Sequence, residues 1–325
     1  MKISRRDFLK KAVTAASALG FLKTIPAAFG RVLDKPIFTF LQITDFHLGS
    51  YGQYERGMEF LTGKIRNEVD FALPDFILAT GDLADKGEAE QYNVFRKYMD
   101  TLGVPYYAIP GNHYDGGYKN ITDNYLNLIG KDKLNYDFTF KGMHFIMLAR
   151  YNTDVDWRWL DALISSTTLP VIISDHYPIY PVRTDGRATS YKMGGTEITE
   201  ILNRYSSKII AFLTGHSHVN SLIRKNDVFH IGTQAIVNLP NSFRHYSVYQ
   251  DRIEVKTHYL QKEAGKYFWW GWYQWENTDE LHPTVFLYNF GNENERNFTI
   301  PVSLTSNGDT MAPTSPKNVK VIAGQ

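Results

Sequence analysis

From Pro36 onward, short apolar runs alternate with amphipathic stretches. Residues 37–43, 76–80, 105–109, 170–174 and 209–214 are apolar runs closed by polar or turn residues, the pattern of buried strands. Between them, residues 56–69 carry Met58, Leu61, Ile65 and Val69 at helical spacing, and 88–102, 155–164 and 197–205 also read as helices. Two runs flanking Lys141-Gly142 predict a hairpin. Strand–helix alternation of this kind argues for an α/β sheet covered on both faces. Beyond Ser221 the pattern changes to consecutive β runs at 221–224, 228–232, 246–249 and 253–260, which predicts mixed sheets with antiparallel strands late in the chain. No internal repeat is visible.

Composition changes again after residue 262. Four of the six tryptophans (Trp269, Trp270, Trp272, Trp275) cluster beside Tyr267, Phe268 and Tyr273, followed by β-like runs at 284–287 and 297–302. A small aromatic-rich β appendage over 263–311 is expected, its rings forming either a core packed on the main domain or a platform for a base, sugar or acyl chain. Residues 312–325 read as a linker or as the start of a fibronectin-type module.

The N-terminus reads as an address. Ser4-Arg5-Arg6-Asp7-Phe8-Leu9-Lys10 precedes an Ala-rich apolar run over 12–22, too short to span a bilayer. The pattern resembles a twin-arginine export signal, which implies the twin-arginine machinery as a partner and an exported protein. Cleavage after Ala28 or after Gly30 both fit, giving a signal peptide over 1–30. These thirty residues hold six of the 35 Lys/Arg and one of the 34 Asp/Glu, so the remainder is mildly acidic, at about −4. An acidic body has no electrostatic footprint for specific nucleic-acid binding. With no cysteine, thiolate ligands, cysteine nucleophiles and disulfides are excluded, and any metal must be held by His, Asp, Glu, Asn or backbone oxygen.

Such residues stand directly after apolar runs at five places: Asp45-Phe46-His47, Gly81-Asp82, Gly111-Asn112-His113, His176 before Pro178, and Gly215-His216-Ser217-His218. Ligands of open α/β sheets bind beyond the carboxyl ends of the strands, so residues spread over the chain can converge on one edge. Singly, a Gly-Asp is a turn, Asn112 a turn or cap residue, and His176 a structural histidine. Asp-x-His and His-x-His are stronger, because each brings two donors within reach of one ion. Five of the ten histidines occupy such strand exits, which makes a shared metal centre the better reading.

The ordered set D-x-H, G-D-x-x-D-x-G, G-N-H, H-x-P and G-H-x-H resembles the calcineurin-like metallophosphoesterase superfamily, over about 36–262. Its D-x-H branch resembles class III cyclic-nucleotide and glycerophosphodiester phosphodiesterases. The resemblance implies two facing mixed β-sheets flanked by helices in a four-layer sandwich, with the metallophosphoesterase domain over 31–262. It implies two divalent or mixed-valence transition metal ions (Fe, Mn, Zn or Ni). Asp45, His47 and His218 would hold one ion, Asn112, His176 and His216 the other, and Asp82 both. A metal-bridging hydroxide would attack a small-molecule phosphate ester in line, diesters being slightly favoured. His113 would protonate or steady the leaving oxygen, oriented by Asp85. Tyr114 and Tyr177 depart from the acid and second His common in relatives. Further candidates for substrate contact are Tyr177, Arg150 at a strand exit, and Arg187 with Arg183 in the loop after His176. The alternatives are a phosphomonoesterase of nucleotides or sugar phosphates, and an envelope- or glycan-binding protein with a vestigial metal site.

Overall fold

The computed structural model describes residues 35–50, 53–68, 72–113, 121–129, 134–150, 155–183, 194–260 and 288–304. The export signal, Arg187, the tryptophan cluster and the C-terminal tail lie outside the described residues. In chain order the elements are β1 (Phe38–Ile43), α1 (Tyr54–Asn67), β2 (Phe76–Thr80), α2 (Ala89–Asp100), β3 (Tyr106–Ile109), α3 (Ile121–Ile129), β4 (Tyr136–Phe140) and β5 (Met143–Met147). They continue as α4 (Trp157–Ser166), β6 (Val171–Ser174), α5 (Thr196–Arg204), β7 (Ile209–Thr214), β8 (Ser221–Lys225), β9 (Val228–Gly232), β10 (Ser242–Val248), β11 (Arg252–Tyr259), α6 (Glu293–Arg296) and β12 (Phe298–Pro301).

Two six-stranded mixed sheets result, in the orders β12-β11-β10-β1-β2-β3 and β4-β5-β6-β7-β9-β8. Strands β1, β2 and β3 are parallel, as are β5, β6, β7 and β9. Side chains alternate across each strand, so one strand serves two cores. Phe38 and Phe40 of β1 face the other sheet with Phe76, Phe145 and Ile172. Leu41 and Ile43 face the other way, against Met58, Leu61 and Ile65 of α1 and Phe95 of α2. On the second sheet, Leu160 and Ile164 of α4 and Ile198 and Ile201 of α5 cover Ile146, Ile173 and Phe212. The layers are therefore helix, sheet, sheet, helix, the expected fold. Between the sheets the Phe40 ring stacks on Phe76 at 5.2 Å and on Tyr246 at 4.4 Å.

Three departures from the sequence pattern have physical causes. Helix α3 lies where the sequence analysis assigns no element; Tyr125 and Ile129 bury one face of it in the helix-side core. Strand β10 begins at Ser242 rather than 246, since its first half is polar but buried: Arg244 is 0% exposed and donates to Gly232 O, Thr233 Oγ1 and Glu295 O. Finally, β12, at the far end of the span expected as an appendage, joins the first sheet. It pairs antiparallel with β11 and sets Ile300 into the core between the sheets, covering what would otherwise be an open edge. Among the described residues, no helix is long and apolar enough to cross a membrane.

Candidate metal centre

Parallel strands in one direction send all five motifs to the same edge. The Asp45–His47 and Asp82–Asp85 turns run side by side beyond β1 and β2: Asp45 N donates to Gly81 O, His47 N to Asp82 O and Asp85 N to Leu48 O, at 2.9–3.0 Å. Between the two polar residues of the first turn, Phe46 is 0% exposed and meets Phe95 edge-on, anchoring the turn while its neighbours face the centre. Asp45, His47, Asp82, His216 and His218 all adopt left-handed φ of 44–62°. That conformation is unfavourable for residues with a Cβ and is typical of functional sites held by their surroundings. Two glycines let loops from the two sheets meet. A Cβ on Gly81, whose φ is +108°, would lie 2.2 Å from His176 Nδ1, and one on Gly215 would lie 2.0 Å from Thr44 Oγ1.

The convergent side chains form adjoining sets. Asp45, His47 and His218 bring their ligand atoms within 4.8 Å of one another, as do Asp82, His176 and His216. Within the first, His218 Nε2 is 3.1 Å from Asp45 Oδ1 and 3.3 Å from His47 Nε2. Within the second, His176 Nε2 is 3.1 Å from Asp82 Oδ2. Asp82 also reaches the other side, with Oδ2 3.6 Å from His47 Nε2, and joins a third set with His47 and His113. The loop holding Asn112 rests on the same carboxylate, because His113 N donates to Asp82 Oδ1 at 2.9 Å. The Oδ1 of Asn112 is buried and accepts no hydrogen bond. The structure thus gathers six of the seven residues named as ligands from the sequence, Asp45, His47, Asp82, His176, His216 and His218, with Asn112 on the loop that rests on Asp82.

Electrostatics explain what the cluster requires. Asp45 and Asp82 are 0% and 1% exposed, and among the described residues their ion pairs are all with histidines. Burial raises both carboxyls, but His218 and His176 outweigh it for Asp45, lowering it to about 2, and His176 and His47 hold Asp82 well below the usual range. In return, against burial, Asp82 and Asp45 raise His176 to about 9. Burial and the neighbouring His176 charge lower His216 to about 3. Buried carboxylates neutralised only by protons on imidazoles are a site that cations fit, since a bound ion replaces those protons. The orphaned Asn112 Oδ1 and a donor set of imidazole nitrogen, carboxylate and amide oxygen point to divalent metals of intermediate hardness.

Around this cluster, Asp85 does two things. Its Oδ1 lies 3.2 Å from His47 Nδ1 and 3.3 Å from His113 Nδ1. For His113, burial works downward, but the Asp85 hydrogen bond and the Asp82 charge raise it to about 9. His176 Nδ1 donates to Thr80 O at 2.9 Å, which turns Nε2 toward Asp82. Tyr177 lays its ring on His216 with centroids 3.8 Å apart.

Two of the arginines offered for substrate contact are engaged within the protein. Arg150 is 7% exposed, pairs through Nε with Asp175 Oδ2, and donates to Tyr177 O at 3.1 Å. Asp175 Oδ1 accepts from His176 N at 2.7 Å, so this pair braces the loop that carries His176. Buried Asp175 is what draws Arg150 inward, and both could have been matched from their positions at neighbouring strand exits. Arg183 pairs with Glu295 and donates to Asn220 O at 2.7 Å. Asn238, whose amide lies 2.6 Å from His218 Nδ1, had no signal in sequence, standing in a loop 20 positions away.

The calcineurin-like phosphoesterase family model matches residues 38–220, which include all five motifs. A 3′,5′-cyclic-nucleotide phosphodiesterase of Nostoc is 29% identical over 219 residues, covering 62% of this chain and 79% of its own. A probable glycerophosphodiester phosphodiesterase of Arcobacter nitrofigilis is 23% identical over 229 residues, covering 60% and 81%. Among solved structures, a dimetal phosphatase of Danio rerio superposes with a TM-score of 0.56 at 17% identity, covering 69% of this chain and 97% of that one, a likeness of fold. With more than half its length matched and the matching motifs gathered at one edge, the chain belongs to the calcineurin-like phosphoesterase family and is a hydrolase acting on phosphoric esters.

Proposed function

We propose that the protein hydrolyses phosphodiesters with the help of two divalent metal ions held at this edge, and that it does so after export. The observation that carries the reading is the placement of Asp82, which is grouped with His176 and His216 on one side and lies 3.6 Å from His47 Nε2 on the other. Asp45, His47 and His218 would hold one ion, Asn112, His176 and His216 the other, and Asp82 both. Such a pair supplies Lewis-acid activation of water and charge to offset the phosphate oxygens. Water attacks phosphorus in line, the bond to the leaving oxygen breaks, and no covalent enzyme intermediate is needed. His113, raised in basicity by Asp85 and Asp82, holds a proton for the departing oxygen. Asp85 orients that ring through Nδ1. Diesters are favoured over monoesters because the two relatives above are named for diester hydrolysis. Export rests on the twin-arginine pattern of residues 4–10.

The test is a substrate panel. Mature protein loaded separately with Mn, Fe, Zn or Ni is assayed against cyclic nucleotides, glycerophosphodiesters, nucleotides and sugar phosphates. Metal-dependent turnover, higher on diesters, is expected. Higher turnover on monoesters would overturn the diester assignment, and metal-independent turnover would overturn the mechanism.

A further inference from the structure

We propose that Asn238 is a positioning residue for metal binding: its side-chain amide fixes His218 in the tautomer that turns the Nε2 lone pair into the Asp45, His47 and His218 set. This rests on the reading above, that the set holds an ion. An imidazole that ligates through Nε2 carries its proton on Nδ1, and that N–H needs an acceptor. His47 has the Asp85 carboxylate for this purpose and His176 has the Thr80 carbonyl, at 3.2 and 2.9 Å. Facing His218 Nδ1 is the amide of Asn238, with its nitrogen placed 2.6 Å away. Nitrogen and oxygen of an amide exchange places by a half-turn of the group, and the assignment follows from the partner. A 2.6 Å separation is too short for an N–H···N contact and lies nearer the N–H···O range, so the half-turn that lets the amide oxygen accept from Nδ1–H fits it better.

The loop that carries Asn238 is built to hold it there. Its main-chain oxygen accepts from Gln234 Nε2 at 2.6 Å, and Gln234 is itself locked by Asn220 Oδ1 and by Ser242. Asn220, Gln234 and Ser242 are all 0% exposed. The same loop braces the opposite ligand, since Ile236 N donates to Thr44 O at 3.0 Å and Val237 N to Asp45 O at 3.3 Å. This loop lies beyond residues 38–220, the span matched by the family. It therefore extends the centre with a part that the five motifs do not contain.

The experiment compares full-length wild type with Asn238→Leu, Asn238→Ser and Asn238→Asp. Each is stripped, then titrated with Mn or Zn against a chelating indicator, and folding is checked by circular dichroism. Wild type should bind two ions. Asn238→Leu, with no acceptor, should bind one of them about 10–100-fold more weakly and the other unchanged, with kcat restored by excess metal and KM unmoved. Asn238→Asp, which keeps an acceptor oxygen, should hold both. Asn238→Ser, too short to reach Nδ1, repeats the loss if the leucine variant does not fold. Unchanged affinities in the Leu and Ser variants, or an Asp variant as weak as they are, would overturn the proposal. Wild type binding fewer than two ions would instead overturn the reading on which it rests.

Discussion

Replacing Asp85 with asparagine tests a second function beside the orientation of His113 that the resemblance implies. One carboxylate oxygen lies 3.2 Å from His47 Nδ1 and 3.3 Å from His113 Nδ1, which also has the Asp85 main-chain oxygen at 3.0 Å. An amide in place of that carboxylate would keep the shape and one acceptor but lose the charge. Hydrogen bonds to charged groups contribute about 1.5–3 kcal/mol and neutral ones about 0.5–1.5, so each contact weakens by about 1 kcal/mol. That corresponds to about fivefold at each histidine. Through His47 the loss falls on metal affinity, and through His113 on protonation of the leaving oxygen. Aryl esters need little protonation, so at limiting metal Asp85→Asn should cost them about fivefold and alkyl esters about 25-fold, the product of the two effects. Excess metal should bring aryl turnover back to wild type and leave alkyl turnover about fivefold down. The assay is kcat/KM for a nitrophenyl and a glycerol diester across a metal titration. Alkyl loss with metal affinity unchanged would show that Asp85 acts on His113 alone, and the shared-oxygen account would fail.

Three further outcomes follow from the same geometry. His113→Ala should slow alkyl esters by about 10²–10⁴ and aryl esters much less, with metal content kept; equal losses would assign the ring to charge on the phosphate oxygens. Arg150→Met should lower unfolding free energy by about 3–5 kcal/mol in denaturant titrations, because it strands buried Asp175, and pairing it with Asp175→Asn should recover part; an unchanged midpoint would mean the pair is not structural. Arg5→Lys with Arg6→Lys should leave precursor in the cytoplasm with normal specific activity, and normal export would refute the twin-arginine reading.

The convergence of these residues was legible in the sequence because each is a metal-binding residue type at the end of a buried strand, and parallel strands carry their exits to one edge. The glycines that precede Asp82, Asn112 and His216 also record close approach, as Gly81 against His176 makes visible. What the pattern did not contain was pairing between distant polar residues. Arg150 and a substrate-binding arginine would occupy the same strand exit; only the buried Asp175 beside it decides which it is. Asn238 is an ordinary loop asparagine until β9 and β10 bring it to His218. Composition likewise does not show that strand β12 pairs with β11.

The central claim is that one carboxylate, Asp82, serves two metal ions. The most direct test is metal stoichiometry of purified wild type, Asp82→Ala and His47→Ala after reconstitution, measured alongside diester turnover. Two ions per wild-type chain, loss of both metal and most activity in Asp82→Ala, and a single weakened ion in His47→Ala are expected. An Asp82→Ala protein that keeps two ions and near-normal turnover would contradict the account.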